Sequence, residues 1–146
     1  MWTHSLMAKT ASSPVSWSMS KRPEFIPAVA HARDRLGLDV REEPFGSALF
    51  TPGSFSVVTL FDTIEHLRDP LAALRAAREA LAPRGLLVLS TGDFASLAAR
   101  LSGRGWHLMT PPEHLFYFTR RGLERILERE GFRVLSVSYP SGHFTG

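Results

Sequence analysis

Two apolar runs with one helical segment between them constrain this chain more than any other feature of it. Phe55-Ser-Val-Val-Thr-Leu-Phe61 is β-branched and aromatic with few polar positions, so a strand here is covered on both faces, as a central parallel strand is. Asp69-Pro70 then offers an N-cap followed by proline at the first helical position, and Leu71, Leu74, Ala77 and Leu81 recur at helical spacing. Pro83-Arg84-Gly85 predicts the stop. Leu86-Leu-Val-Leu89 follows and ends in Ser90, Thr91 and Gly92. Strand, helix and strand in a right-handed crossover give two parallel strands whose C-terminal ends share one edge, where open α/β sheets bind ligands. Asp62 to His66 and Ser90 to Asp93 are therefore expected to face one cleft.

The flanks extend the α/β pattern. Ile26, Val29, Ala30, Ala32 and Leu36 predict a short helix stopped by Gly37, and Leu38 and Val40 a brief strand. Phe94 to Leu101 reads as a short helix and Gly103 to Pro112 as a loop. Thr119 caps a helix carrying Leu123, Ile126 and Leu127 that Gly131 ends. Phe132, Val134, Leu135, Val137 and Tyr139 alternate as a further strand.

The chain's 146 residues suit one domain, and 44% apolar residues give it a core. Without cysteine it has no disulfide, thiolate zinc site or cysteine nucleophile, and a reducing compartment is permitted. No apolar run approaches the ~20 residues of a membrane helix. A soluble, cytoplasmic protein with no membrane partner is the expectation. Residues 1–22 carry the whole formal charge of +3, because the remaining 14 arginines balance all 14 acids. The folded part therefore shows no surface for nucleic acid. This leader also holds both lysines, three of the four methionines and two of the three tryptophans. Its serines and lack of acids loosely resemble a transit peptide, without an amphipathic stripe. An unstructured leader, or a start foreign to the ancestral reading frame, is expected over residues 1–22, with the domain proper over 23–146.

The run from Phe55 to Pro70 resembles the fourth strand and following turn of class I S-adenosylmethionine-dependent methyltransferases, in the branch that includes the ubiquinone-biosynthesis O-methyltransferases. Leu81 to Thr91, Pro112-Glu-His-Leu-Phe-Tyr-Phe-Thr119 and Leu123 through Phe132 agree with that family in order and spacing. The resemblance covers about Pro23 to Tyr139 and implies a Rossmann-like fold, S-adenosylmethionine as cofactor and methyl transfer to a small-molecule acceptor.

The family's first strand ends in a glycine-rich turn that wraps the methionine end of the cofactor, and its second in an acid for the ribose. Neither is in this sequence, where Gly103-Arg-Gly105 has no strand before it. The usual last strand is not in it either. The family's first and second strands lie between the third and fourth, so a mid-sheet gap is expected. Roughly five unpaired backbone groups beside Phe55 to Phe61 would cost several kcal/mol if buried, or leave an edge for self-association if exposed. The leader is expected to be mobile and dispensable, and only a large fall in stability on its deletion would mean that it fills the gap, for instance with Val15 to Met19 as a substitute strand. A truncated methyltransferase with weak or no cofactor binding is the expectation, and a noncatalytic methyltransferase-like interaction module is the alternative.

The resemblance sets Leu60, Phe61 and Asp62 beside the methionine and ribose parts of the cofactor, and Glu43, Pro44 and Phe45 beside the adenine. Leu60 and Phe61 serve equally as core. His66 is the candidate base, since a neutral imidazole can take a hydroxyl proton near pH 7, or else a structural histidine tying its turn to the next helix. Glu65 is expected to cap or brace that turn. Trp106, His107, Glu113 and His114 fall in the segment that covers the acceptor in the family, as a lid or as a loop anchored by Trp106. Two Glu-His pairs, with His107 nearby, raise a metal-dependent hydrolase. Neighbours on a helix point ~100° apart and His-Glu-x-x-His is missing, so no metal is expected.

Overall fold

The computed structural model of the chain describes residues 5–9, 16–18, 26–41, 45–46 and 49–139. A five-stranded sheet organises them. In chain order its strands are β1 (Ser5–Lys9), β2 (Ser16–Ser18), β3 (Asp39–Arg41), β4 (Phe55–Phe61) and β5 (Leu81–Ser90), and in space they run β3-β2-β1-β4-β5. Among the described residues four α-helices accompany them, α1 (Ile26–Asp34), α2 (Pro70–Ala80), α3 (Leu97–Ser102) and α4 (Arg120–Arg129), with short 3-10 turns at Ile64–His66 and Gly103–Gly105.

The strand, helix, strand unit forms as its pattern dictates. β4 and β5 are parallel neighbours, with Val57 opposite Leu86 and Phe61 opposite Ser90. The Asp69 carboxylate caps α2 by accepting from the Ala72 amide at 2.8 Å, with Pro70 in the first turn. α2 stops sooner than its sequence suggests, and β5 begins at once at Leu81. Pro83-Arg84-Gly85 lies inside that strand as an irregularity: Phe55 pairs with Leu81, but Val57 pairs with Leu86. Arg84 takes φ +64°, so the extra residues bulge out. α4 starts at its expected cap, Thr119 Oγ1 accepting from the Gly122 amide at 3.1 Å.

Val58 and Leu60 point to the same side of β4 and are fully buried with Leu74 and Ala77 of α2. Phe118 completes this cluster, and Leu123, Ile126 and Leu127 of α4 and Phe132 pack on it. One apolar layer thus ties two parallel strands to two helices, which fixes the ends of β4 and β5 relative to one another.

Two expectations are corrected. The mid-sheet gap is filled from within residues 1–22: β1 pairs with β4 from Ser5 opposite Phe61 to Lys9 opposite Val57, and β2 bridges β1 to β3. The strand beside β4 is thus Ser5–Lys9 of a leader expected to be mobile, and β2, inside Val15 to Met19, lies one strand further out. β1 is antiparallel to both neighbours, whereas β2 runs parallel to β3. The open backbone of β4 is the physical reason, since an unpaired strand edge is a template for any chain that can extend beside it. The second correction is at 132–139, which joins no strand ladder among the described residues. Leu135, Val137 and Tyr139 stand exposed there, because alternation makes a strand only where a neighbour supplies hydrogen bonds.

Candidate active site

The C-terminal ends of β4 and β5 are joined by side chains that their sequences place there. Asp62 leaves β4 at φ +44°, a left-handed conformation that aspartate tolerates better than most residues. Its amide donates to the Ser90 carbonyl at 3.1 Å and to Ser90 Oγ at 3.0 Å, and Ser90 Oγ donates to the Asp62 carboxylate at 2.8 Å. Thr63 Oγ1 donates to the Phe61 carbonyl at 2.7 Å. Ile64–His66 then turns as a short 3-10 helix, with Ile64 driven into the core.

That turn presents Glu65 and His66 in different settings. Glu65 is buried, and its carbonyl accepts from the amides of Leu115 at 2.8 Å and Phe116 at 3.1 Å, which binds the 113–118 segment to the turn. Burial pushes the Glu65 carboxyl above the ordinary carboxylate range, and Asp62 adds to the rise. Bonds from its own amide and from Thr91, with His114 close by, offset part of it. Glu65 Oε2 is buried with no hydrogen-bond partner. Through its carbonyl, Glu65 ties this turn to a segment distant in sequence.

His66 Nδ1 donates to the Glu113 carbonyl at 2.7 Å, because a carbonyl can only accept. That bond makes Nε2 the proton-accepting nitrogen of the neutral ring. The His66 and His114 rings meet edge-on at 4.5 Å, and Glu65, His66 and His114 each bring one ligand atom to within 4.8 Å of the others. A carboxylate and two imidazoles so disposed could hold a divalent cation of the zinc or later first-row type. The spacing rule missed this group, since Glu65 and His66 sit on a tight turn and His114 arrives from a distant segment.

Trp106 is 6% exposed and lies against Phe94 with ring centroids 5.9 Å apart. Phe94 also meets Tyr117 at 5.6 Å, and Tyr117 meets His114 at 6.2 Å. Aromatic rings therefore lead from Trp106 back to the histidine pair. His107 is exposed beside Trp106, and Glu113 contributes its carbonyl rather than its exposed side chain.

The remaining residues expected at the site separate. Leu60 is fully buried in the core and can offer a ligand only its backbone, whereas Phe61 is 47% exposed at the strand mouth. Phe45 packs against the core cluster with its ring 6.0 Å from Phe50. Glu43 and Pro44 lie outside the described residues. An exposed ring at Phe61 next to the Asp62 carboxylate suits a nucleoside that carries ribose hydroxyls and a positive charge. β1 reaches this edge with Ser5, its N-terminal end, whereas β2, β3, β4 and β5 run parallel to one another and end there.

The chain matches the model of the methyltransferase domain family over residues 12–137, a span that begins inside the leader. It is 35% identical over 134 residues to a ubiquinone biosynthesis O-methyltransferase of Cereibacter sphaeroides, a match covering 80% of this chain and 54% of that protein. The enzyme of the same name from Xanthomonas campestris is 52% identical over 40 residues, 27% of this chain and 17% of that protein. At its longer matches the chain spans about half the length of these curated relatives. A solved S-adenosylmethionine-dependent methyltransferase of Thermotoga maritima, described as a possible histamine N-methyltransferase, is 21% identical with a TM-score of 0.60. That likeness covers 72% of this chain and 51% of the other, and speaks for the fold. With most of its length inside the family model, this chain belongs to the class I S-adenosylmethionine-dependent methyltransferases.

Proposed function

We propose that this chain forms the acceptor side of a methyl-transfer site acting on an oxygen of a small molecule. The observation that carries the proposal is the setting of His66, whose Nδ1 is committed to the Glu113 carbonyl, so that Nε2 takes protons at the mouth of β4. When bound, the cofactor supplies a methyl group on a sulfonium. With an acceptor hydroxyl placed against it, His66 Nε2 would take the proton that the oxygen gives up on methylation. Little else is asked of the protein beyond positioning. The choice of oxygen leans on the O-methyltransferase relatives. Phe61 and Asp62 border the cofactor in this proposal, and His114, Trp106 and the segment between them cover the acceptor.

Cofactor binding by the chain as it stands is weak in this reading. The sequence offers no glycine-rich turn, and antiparallel β1 brings its N-terminal rather than its C-terminal end to the cleft. Three or four missing polar contacts at ~0.5 to 1.5 kcal/mol each weaken binding by a factor of roughly a hundred or more. Calorimetric titration with S-adenosylmethionine tests this, and micromolar affinity would overturn it. Added acceptor turnover that survives His66→Ala undiminished would remove the base role. A noncatalytic module would neither bind the cofactor nor turn over, and self-association through the outer edge of β5 would show in its sedimentation.

A second reading is favoured by the convergence of Glu65, His66 and His114. A divalent cation there would lower the pKa of an acceptor hydroxyl in place of a base. Metal analysis and recovery of turnover after chelation decide between the two.

A further inference from the structure

Gly92, two residues beyond the end of β5, lies directly beneath Leu108 and Trp106 of the covering segment. A Cβ added there would lie 2.5 Å from Leu108 Cδ1 and 3.0 Å from Trp106 Cη2, well inside the ~3.5 to 4.0 Å at which carbon atoms rest. The backbone does not require glycine. Gly37, Gly53, Gly103 and Gly131 take positive φ, and Gly92 does not. What glycine supplies at 92 is room.

The strand end has little freedom to yield. Thr91 bonds the Glu65 carboxylate. Asp93 Oδ1 accepts from the amides of Ala95 at 2.9 Å and Arg120 at 3.3 Å, and Oδ2 accepts from the Tyr139 hydroxyl at 2.8 Å. Ser90 is held to Asp62. A side chain at 92 would therefore displace the covering segment, whose hold on this part of the sheet is the buried Trp106 ring. From Trp106 the chain continues through the Met109 amide, which donates to the Trp106 carbonyl at 2.8 Å. It reaches Thr110, whose carbonyl accepts from Glu113 at 2.8 Å and His114 at 3.1 Å. Thr110 Oγ1 and the Tyr117 hydroxyl are buried without hydrogen-bond partners. Two unpartnered hydroxyls beside an aromatic run are what a segment built to meet a polar, ring-shaped acceptor would keep.

We propose that Gly92 is a positioning residue: by leaving its Cβ place empty it seats Trp106 and Leu108 on the end of β5, and this seat holds Trp106 to Thr110 in register with His114 to receive the acceptor. Its consequence for the acceptor rests on the methyl-transfer reading above, but the seat itself does not.

The test uses the full chain carrying Gly92→Ala, and Gly92→Ala combined with Leu108→Ala, which removes the closest clashing atom. Trypsin cleavage after Arg104 should run about tenfold faster in the single variant, the equivalent of ~1.4 kcal/mol of lost seating. It should fall back towards the wild-type rate in the double variant. An unchanged rate, no rescue, or an equal rise after Arg78 in α2 would overturn the seat. Catechol, followed by tryptophan fluorescence, is the acceptor probe and needs no cofactor. Its binding should weaken about tenfold in Gly92→Ala and recover in the double variant. Equal binding by wild type and Gly92→Ala would overturn the positioning role. If wild type does not bind catechol, that role and the acceptor reading fail together, while proteolysis still decides the seat.

Discussion

The two sides of the sheet are built on different principles. β4, α2 and β5 carry their instructions locally: continuous apolar runs, a capped helix with one buried stripe, and a shared cluster around Leu60 and Leu74. β1 and β2 have polar ends, are five and three residues long, and lie between β3 and β4. Their place is set by the edges they cover. One side would be recognised in isolation, whereas the other is intelligible only beside a neighbour with hydrogen bonds to give. A sheet can thus be completed by a segment that resembles none of its strands in composition.

Removing residues 1–22 breaks the comparison most severely. If β1 and β2 complete the sheet, deletion strips β4 of its partner from Val57 to Phe61. At ~0.5 to 1.5 kcal/mol per hydrogen bond the loss amounts to several kcal/mol, a large part of the ~5 to 15 kcal/mol that holds a domain together. The expected result is a lost or much lowered thermal transition, with aggregation visible by light scattering. A transition unchanged by the deletion would return the leader to the dispensable role that its composition suggests.

Leu74→Ala probes the other side. Leu74 is fully buried between α2 and β4, so truncation should cost ~2 to 5 kcal/mol in denaturant titrations. A loss well below that range would mean that the apolar layer is looser than its burial implies.

Glu65→Gln is expected to have a smaller effect, of opposite sign. The native carboxyl titrates above its ordinary range because burial disfavours its charge. Below about pH 4.3, the ordinary glutamate value, both folded and unfolded forms are protonated and the wild type keeps its full stability. As pH rises the unfolded form ionises first, and stability falls until the native carboxyl has also ionised. Glutamine escapes that loss, so the variant should melt higher than wild type at neutral pH and equally near pH 4. The gap should be about 1 to 3 kcal/mol at most, the cost of a buried unpartnered polar atom. A variant that melts lower at neutral pH would show that the Thr91 bond outweighs the burial.

The same contrast explains how far the sequence could be read. The β4 run, the Asp69 cap and the Thr119 cap are local signals, and the structure places each as written. The parallel pairing of β4 with β5 followed from chain order alone. β1 and β2 carried no such signal, because a serine-flanked run of three residues becomes a strand only when two edges need bridging. At 132–139 the reverse held, since Phe132 to Tyr139 alternate correctly but join no ladder among the described residues. The meeting of Glu65, His66 and His114 depends on the main-chain bonds from Leu115 and Phe116 to Glu65, which no side-chain spacing reveals. Gly92 is equally silent in sequence, because its importance lies in the space it leaves for Trp106.

The antiparallel course of β1 has a practical consequence for anything joined to this chain. Ser5 sits opposite Phe61 at the ligand edge of the sheet, so the polypeptide enters the sheet beside the cleft. A tag or fused domain ahead of Ser5 is thereby delivered to the doorway of the site, where it can obstruct or report on what enters.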